Sequence, residues 1–415
     1  MLLRSHFPPK YTNCETKRQF TWPFTTEVRL MFVHTMYIYQ KTNRYFAQVA
    51  DDIKEIAAAE IQDLGATEVR LAYRGLYFEA SPDVLYCLNL RSALVHRILA
   101  PLLTFDCHSD RYLYKTAAKI QWSDFLTPDH TFAVFATVSN STIRHSKFAA
   151  LRLKDAIVDY FRATTGKRPS IETQSPDLWI NLRIHNNRAT LSIDTSSGSL
   201  HRRRYRLQTV EAPMIETLAA AILKAAEWDC HQPLYDPFCG SGTLLCEAYL
   251  QATQTPPGML RSHFGFERLP DFDLRQWEQV KQACSQNTIT ISKNLVAGSD
   301  ISKTAVAAAR RNANTFDQHG NITIHQRDIF QIDKLEQKFI LCNPPYGVRL
   351  KNSQEDLATF YKRLGDFLKQ RCRGSTACIY FGDRQYIKHI GLRSSWKKPF
   401  SNGGLDGRLV KYVLY

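Results

Sequence analysis

The sequence predicts an α/β protein, with a parallel-sheet domain filling its C-terminal half and smaller α+β units before it. Three observations carry that expectation. Beyond about Glu211 the texture becomes apolar strands alternating with long helices, the pattern of a sheet covered on both faces. Residues 234–245 run an apolar strand into a glycine-rich turn and then a helix, the ligand-facing unit of such sheets. Between Met36 and Arg206 the elements are shorter, and the strands alternate apolar and polar residues. With 415 residues, 44% hydrophobic and 22% charged, the chain has the composition of a globular protein and more length than a single core needs.

Residues 1–35 show no periodicity and read as an extension, either a disordered arm or the product of a start codon assigned too early. Residues 37–40 are β-prone, 51–64 form an amphipathic helix, and 68–78 read as strands around Arg74-Gly75. A second helix is expected over 81–100, with Leu85, Leu88, Leu90, Ala93 and Leu94 on its apolar face. Residues 131–138 alternate as a strand, and 146–161 form a helix expected to bury Phe148, Leu151, Leu153, Ile157 and Phe161. Strands at 179–185 and 188–194 are joined by Asn186-Asn187, residues suited to the left-handed conformation of a tight hairpin turn. The boundary with the C-terminal domain falls near 200–210, and Pro213 is placed to open a helix over 214–226. The segments are therefore 1–35, 36–100, 101–200 and 201–415.

The net charge of +15 and a pI near 9.3 favour a polyanionic partner, through release of counterions condensed on phosphates. Residues 351–415 hold 13 basic and 5 acidic residues, and the run from His201 to Arg206 holds four arginines. The ten cysteines form no C-x-x-C pair, so reduced thiols in the cytoplasm are expected and no metal site. No stretch approaches the roughly 20 apolar residues of a bilayer span, which argues against a membrane protein.

The chemistry is concentrated in four strand ends. Asp236 closes the first strand before Pro237-Phe238-Cys239-Gly240-Ser241-Gly242-Thr243, where glycines let backbone approach a ligand and the helix N-terminus offers N–H groups. Asp300 closes a second strand, where a carboxylate can accept the hydroxyls of a ribose, with Ile301 after it. Asp328 and Ile329 follow a third, where the acid can accept from an exocyclic adenine amine. Each acid alone is more often a helix cap, but three at successive strand ends are hard to explain that way. The fourth strand runs into Asn343-Pro344-Pro345-Tyr346: an amide oxygen and a proline carbonyl to accept from a planar NH2, prolines to fix the backbone, and a ring to stack on a base.

At these residues the sequence resembles class I methyltransferases carrying an Asn-Pro-Pro-Tyr motif, which act on exocyclic amines of adenine or guanine. Its wider layout resembles the bacterial 23S rRNA guanine-N2 methyltransferases of the RlmL type. That resemblance implies a ferredoxin-like unit (36–100), a THUMP-like RNA-binding domain (101–200) and a Rossmann-like methyltransferase domain (201–415) with a mostly parallel seven-stranded sheet. His145-Ser146-Lys147, the stretch before Arg202, the 211–213 helix entry and the closing 402–405 segment agree with it; Arg203 stands where glycine is expected. It implies S-adenosyl-L-methionine as cofactor, held by Asp236, Gly240 and Gly242 at the methionine end, Asp300 at the ribose and Asp328 with Ile329 at the adenine, with Phe238, Thr243 and Ile301 also among the cofactor-binding residues. Asn343, Pro344, Pro345 and Tyr346 would orient the amine. RNA, as 23S rRNA or a large-subunit assembly intermediate, would be held by Lys147, Arg202, Arg203, Arg204 and Arg206. Ending at Tyr415, the chain is expected to carry one methyltransferase domain and install one modification. Alternative readings are a tRNA guanine-N2 methyltransferase, a DNA adenine-N6 methyltransferase, or an RNA-binding protein without catalysis.

Overall fold

The computed structural model describes residues 36–209, 214–345, 356–401 and 406–415, so the expectations placed on 1–35, 211–213, Tyr346 and 402–405 lie outside the described residues. Residues 37–40, expected to extend, instead begin helix α1 (Ile38–Thr42). The Gln40 side chain accepts the Tyr37 amide at 2.9 Å, a local cap that outweighs the β-propensity of the run. Strand β1 (Arg44–Gln48) follows, then α2 (Lys54–Asp63), the hairpin β2 (Thr67–Ala72) and β3 (Gly75–Glu79), and α3 (Pro82–Arg91).

The helix expected to reach residue 100 stops at Arg91, and 97–106 form strand β4 (Arg97–Asp106). The cause is Glu60, a buried acid on α2. Its carboxylate accepts from Ser92 Oγ (2.7 Å), Ala93 N (3.1 Å) and Leu94 N (3.1 Å), which draws the chain out of the helix.

Helix α4 (Asp110–Ala117), β5 (Thr131–Ser139), α5 (Ser146–Thr165), β6 (Ser170–Ile171), β7 (Leu178–His185) and β8 (Arg188–Asp194) complete this half. Asn186 and Asn187, at φ 51° and 57°, turn the β7–β8 hairpin as the sequence suggested. The eight strands form one sheet in the order β2-β3-β1-β4-β8-β7-β5-β6, and β4 pairs with β1 on one side and β8 on the other. On α5 the buried stripe is Ala149, Leu153, Ala156, Ile157 and Phe161. Phe148 and Leu151, expected inside, are about half exposed because the stripe lies one residue further round the helix.

The second half begins with α6 (Glu216–Ala226), β9 (Leu234–Asp236), α7 (Thr243–Ala252), α8 (Leu274–Gln286), β10 (Val296–Asp300), α9 (Lys303–Ala313) and β11 (Ile322–Gln326). It ends with β12 (Phe339–Cys342), α10 (Leu357–Arg371), β13 (Thr376–Phe381), β14 (Trp396–Pro399) and β15 (Arg408–Val413). Its seven-stranded sheet has the order β11-β10-β9-β12-β13-β15-β14. All neighbours from β11 to β13 pair in parallel, and β15 runs antiparallel to both β13 and β14. Since β10 lies on one side of β9 and β12 on the other, the strand order reverses at β9, which places a ligand crevice at the carboxyl ends of these strands. Among the described residues no helix is long and apolar enough to cross a membrane.

Candidate active site

The turn after β9 is built for close approach. Gly240 and Gly242 adopt φ of 54° and 84°, and a Cβ on Gly242 would stand 3.1 Å from Ala309 Cβ on α9. Beneath it, a Cβ on Gly298 would stand 2.6 Å from the Asp236 carbonyl oxygen, so β10 meets β9 at full depth only with glycine there. Cys239 N donates to Ser299 O at 3.0 Å and Gly240 N to Asp300 Oδ2 at 2.9 Å, locking the turn to the end of the neighbouring strand.

Asp300 also accepts from Ser302 N at 2.9 Å. A carboxylate has about four acceptor positions, so two such bonds leave room for hydroxyl donors. Beside it Ile301 is 68% exposed, an apolar side chain left open at the mouth of the crevice where a flat ring can cover it. Asp328 accepts from Phe330 N at 3.0 Å as the cap of the short turn Ile329–Gln331, with Ile329 buried under it. The capping role is therefore real for this acid, and it leaves the second carboxylate oxygen for other donors.

Asp236 is fully buried, and burial pushes its carboxyl up to about 8; a bond from Phe238 N (2.9 Å) opposes this and the Asp300 charge adds to it. Phe238 is half-buried, with its ring 5.8 Å from that of Phe360. Cys239 and Cys342 are buried, and burial lifts both thiols well above their ordinary value, which suits core residues rather than nucleophiles.

At the end of β12, Asn343 is 8% exposed, and its Oδ1 is buried with no donor among the described residues. A buried acceptor without a partner costs about 1–3 kcal/mol, so its persistence points to a donor supplied by a ligand. Pro344 is buried and Pro345 half-buried behind it. The turn after β9, Asp300, Asp328 and Asn343 thus share one edge of one sheet, as the spacing implied.

The arginine run divides. Arg203 is 2% exposed: it donates to Leu200 O (2.7 Å) and Ala93 O (2.5 Å) and lies 3.6 Å from buried Glu247, so it is an internal strut and not a phosphate contact. Arg206 is likewise committed inward, to Glu216 (2.9 Å), Met214 O (2.8 Å), Thr243 Oγ1 (3.1 Å) and Ser241 Oγ (3.5 Å), and so clamps the glycine-rich turn from behind. Both are corrections to the sequence reading. Acids at 216 and 247 neutralise them, and nothing in the local run announces that. Lys147, Arg202 and Arg204 are exposed. A residue the sequence did not single out, Asn312 on α9, accepts from Leu207 N (2.9 Å) and Gln208 N (3.0 Å) and donates to Ser241 O (3.0 Å), a second tie between linker and turn. Among the described residues no cluster of metal-ligating side chains converges.

Residues 203–411 match the model of the RMKL-like methyltransferase domain, and residues 108–194 match the THUMP domain. A Synechocystis sp. protein with the provisional name RNA methyltransferase is 40% identical over 375 residues, 90% of this chain and 97% of that one. The chain belongs to the RMKL-like methyltransferase family. Another relative, the ribosomal RNA large subunit methyltransferase K/L of Aliivibrio salmonicida, is 35% identical over 87% of this chain, which spans only 52% of that relative. Among solved structures, SMU.472, a provisionally named methyltransferase in complex with SAH, superposes with a TM-score of 0.77 at 24% identity, covering 90% of this chain and 98% of that one. TrmN from Thermus thermophilus superposes at 0.61 and 16% identity, covering 89% and 98%. The RMKL-like chain therefore shares its fold with these two structures over about nine tenths of its length.

Proposed function

We propose that the chain transfers the methyl group of S-adenosyl-L-methionine to the exocyclic N2 amine of a guanine in 23S rRNA. The observation that carries this reading is the buried, unpartnered Oδ1 of Asn343 at the strand end beside the glycine-rich turn. The residues fit the cofactor: the positive-φ glycines at 240 and 242 let a ligand approach the turn closely, Asp300 keeps acceptor positions for ribose hydroxyls, and Asp328 keeps one carboxylate oxygen for the adenine amine. When bound, the cofactor supplies an electrophilic methyl on a sulfonium.

The protein's part is orientation. An exocyclic amine is a weak nucleophile because its lone pair is delocalised into the ring. Asn343 Oδ1 and the Pro344 carbonyl accept its two hydrogens, holding the nitrogen in place and stabilising the positive charge that develops on it. Tyr346 is assigned the stacking role on sequence grounds. A target base within a duplex has to be flipped out to reach this edge. RNA capture falls to the THUMP domain and to the exposed Lys147, Arg202 and Arg204, whose phosphate contacts position without reading sequence. The name of the K/L relatives supports rRNA over other substrates.

The test is tritiated methyl transfer to purified 23S rRNA, 16S rRNA, bulk tRNA and DNA, followed by nucleoside chromatography. Label in 23S rRNA as N2-methylguanosine is the expected result. Label in tRNA, or in DNA as N6-methyladenine, keeps the cofactor and overturns the substrate.

A further inference from the structure

The carboxyl edge of the seven-stranded sheet holds a second feature, across β13 from Asn343. Arg384 and Lys388 sit on the 3-10 turn Arg384–Ile390 that follows β13, Lys397 on β14, and Arg408 at the start of β15. These four cations line a cavity of about 460 Å³, with Gln385 and Ser394 among its polar walls and no carboxylate in its lining. Two acids border it: Asp406 bonds Arg408 and lies 3.4 Å from Arg384, and Asp383 caps the turn and accepts from Gln385 Nε2 at 2.6 Å. Lys388 and Lys397 are exposed and have no carboxylate partner among the described residues.

The strand pleat explains why Lys397 is left for the cavity. Side chains alternate along β14, and its neighbour Lys398 turns the other way, donating to Ala225 O at 3.0 Å and lying 3.4 Å from Glu227. The register fixes where the cavity opens. Phe381 at the end of β13 and Pro399 at the end of β14 both pair with Arg408, so the cations stand at the same sheet edge as the strand ends that bear Asn343 and Asp300. Strands lie about 4.8 Å apart, so β15 is on the order of 10 Å from β12. Grouping four cations around one cavity is unfavourable by itself, and an anionic ligand relieves the repulsion.

We infer that this cavity binds backbone phosphates of the RNA next to the target base, and so orients the substrate at the methyl-transfer edge. This rests on the reading of the chain as an RNA methyltransferase. The two lysines act as point charges for phosphate, whereas Arg384 and Arg408, tethered by Asp406, present fixed donors. No base is read there.

The experiment compares wild type with K388Q/K397Q, using a 23S rRNA transcript for RNA binding between 50 and 300 mM salt and calorimetry for S-adenosylmethionine. The expected result is RNA affinity weakened about tenfold or more near 0.1 M salt, a slope of log K against log salt reduced by about 1.4–1.8, and unchanged cofactor affinity. An unchanged RNA affinity and slope would overturn the inference. Loss of cofactor binding alongside RNA binding would overturn it as well, since the lysines would then serve the fold. If wild type binds cofactor but no RNA, the RNA methyltransferase reading itself fails, and this site with it.

Discussion

Asn343→Ala separates the chemistry from cofactor binding. If the Asn343 amide oxygen holds the substrate amine, its loss lowers kcat by about 10²–10³-fold, the usual cost of one well-placed transition-state acceptor or donor, and leaves the dissociation constant of S-adenosylmethionine within about twofold. Asp300→Ala does the opposite. It removes the acceptor for Gly240 N and Ser302 N together with the proposed ribose acceptor, so cofactor affinity should fall by about ten- to a hundredfold; an unchanged affinity measured by calorimetry would remove Asp300 from the site. Asp236 adds a pH dependence whose sign follows from its burial. Its carboxyl sits near 8 in the folded protein against an ordinary value of 3.8, so between about pH 4 and 8 the native state holds a proton that the unfolded chain releases, and the acid costs stability as pH rises. A cationic ligand at the end of β9 favours the ionised form, so S-adenosylmethionine affinity should climb from pH 6 to about pH 8 and then level. Asp236→Asn should flatten that profile, and a wild-type profile already flat would remove Asp236 from the ligand's charge. These acids and Asn343 were legible in the sequence because each ends an apolar run, a purely local signal. Arg203 and Arg206 were not, because a run of arginines reads as surface and their neutralising partners Glu216 and Glu247 come from helices folded over them.

At the scale of elements, the part of the fold least legible from sequence is the end of α3, where apolar residues continue past Arg91 in a spacing compatible with a longer helix. The decision is made by Glu60, a residue 32 positions from Ser92. Its carboxylate satisfies one hydroxyl and two amides that a straight helix would bond within itself, and Lys224 Nζ on α6 stands 3.5 Å from it. Glu60→Ala strands three donors in a mostly buried corner, each costing about 1–3 kcal/mol less whatever water recovers, so a loss of about 3 kcal/mol in unfolding free energy is expected. Thermal unfolding checks it, and Glu60→Gln, which keeps one acceptor oxygen, should lose less. A midpoint that does not move in Glu60→Ala would mean that the helix stop has another cause. The parallel strands and the β7–β8 hairpin needed no such distant residue. Their apolar runs and the Asn-Asn turn specify them locally, which is why they matched expectation.

At the scale of the molecule, two sheets are joined by a linker that also grips the glycine-rich turn after β9. Thr195 and Ser196 are buried at the end of β8, and Arg261, from the loop between α7 and α8, donates to the carbonyls of Ser196 (2.6 Å), Ser197 (3.0 Å), Ser199 (3.3 Å) and Arg202 (3.1 Å). From there the chain alternates its arginines: Arg202 and Arg204 face solvent, while Arg203 and Arg206 face inward. One short segment thus exposes cations on one side and grips Ser241 and Thr243 of the glycine-rich turn on the other. The sequence showed two textures meeting near residue 200 but not this double role, because the grip depends on Asn312 and Glu216, which arrive only when the second sheet closes. Substitutions should separate the two sides. Arg206→Met removes the clamp, so S-adenosylmethionine affinity should fall by about tenfold, near 1.4 kcal/mol, with RNA affinity almost unchanged. Arg206→Lys should recover part of the loss, because a lysine still reaches Glu216 but cannot span both hydroxyls. Arg202→Glu with Arg204→Glu should weaken RNA binding and flatten its salt dependence while sparing the cofactor. If Arg206→Met instead weakened RNA alone, the inward hydrogen bonds would not be its working role, and the linker would be a simple tether between two independent sheets.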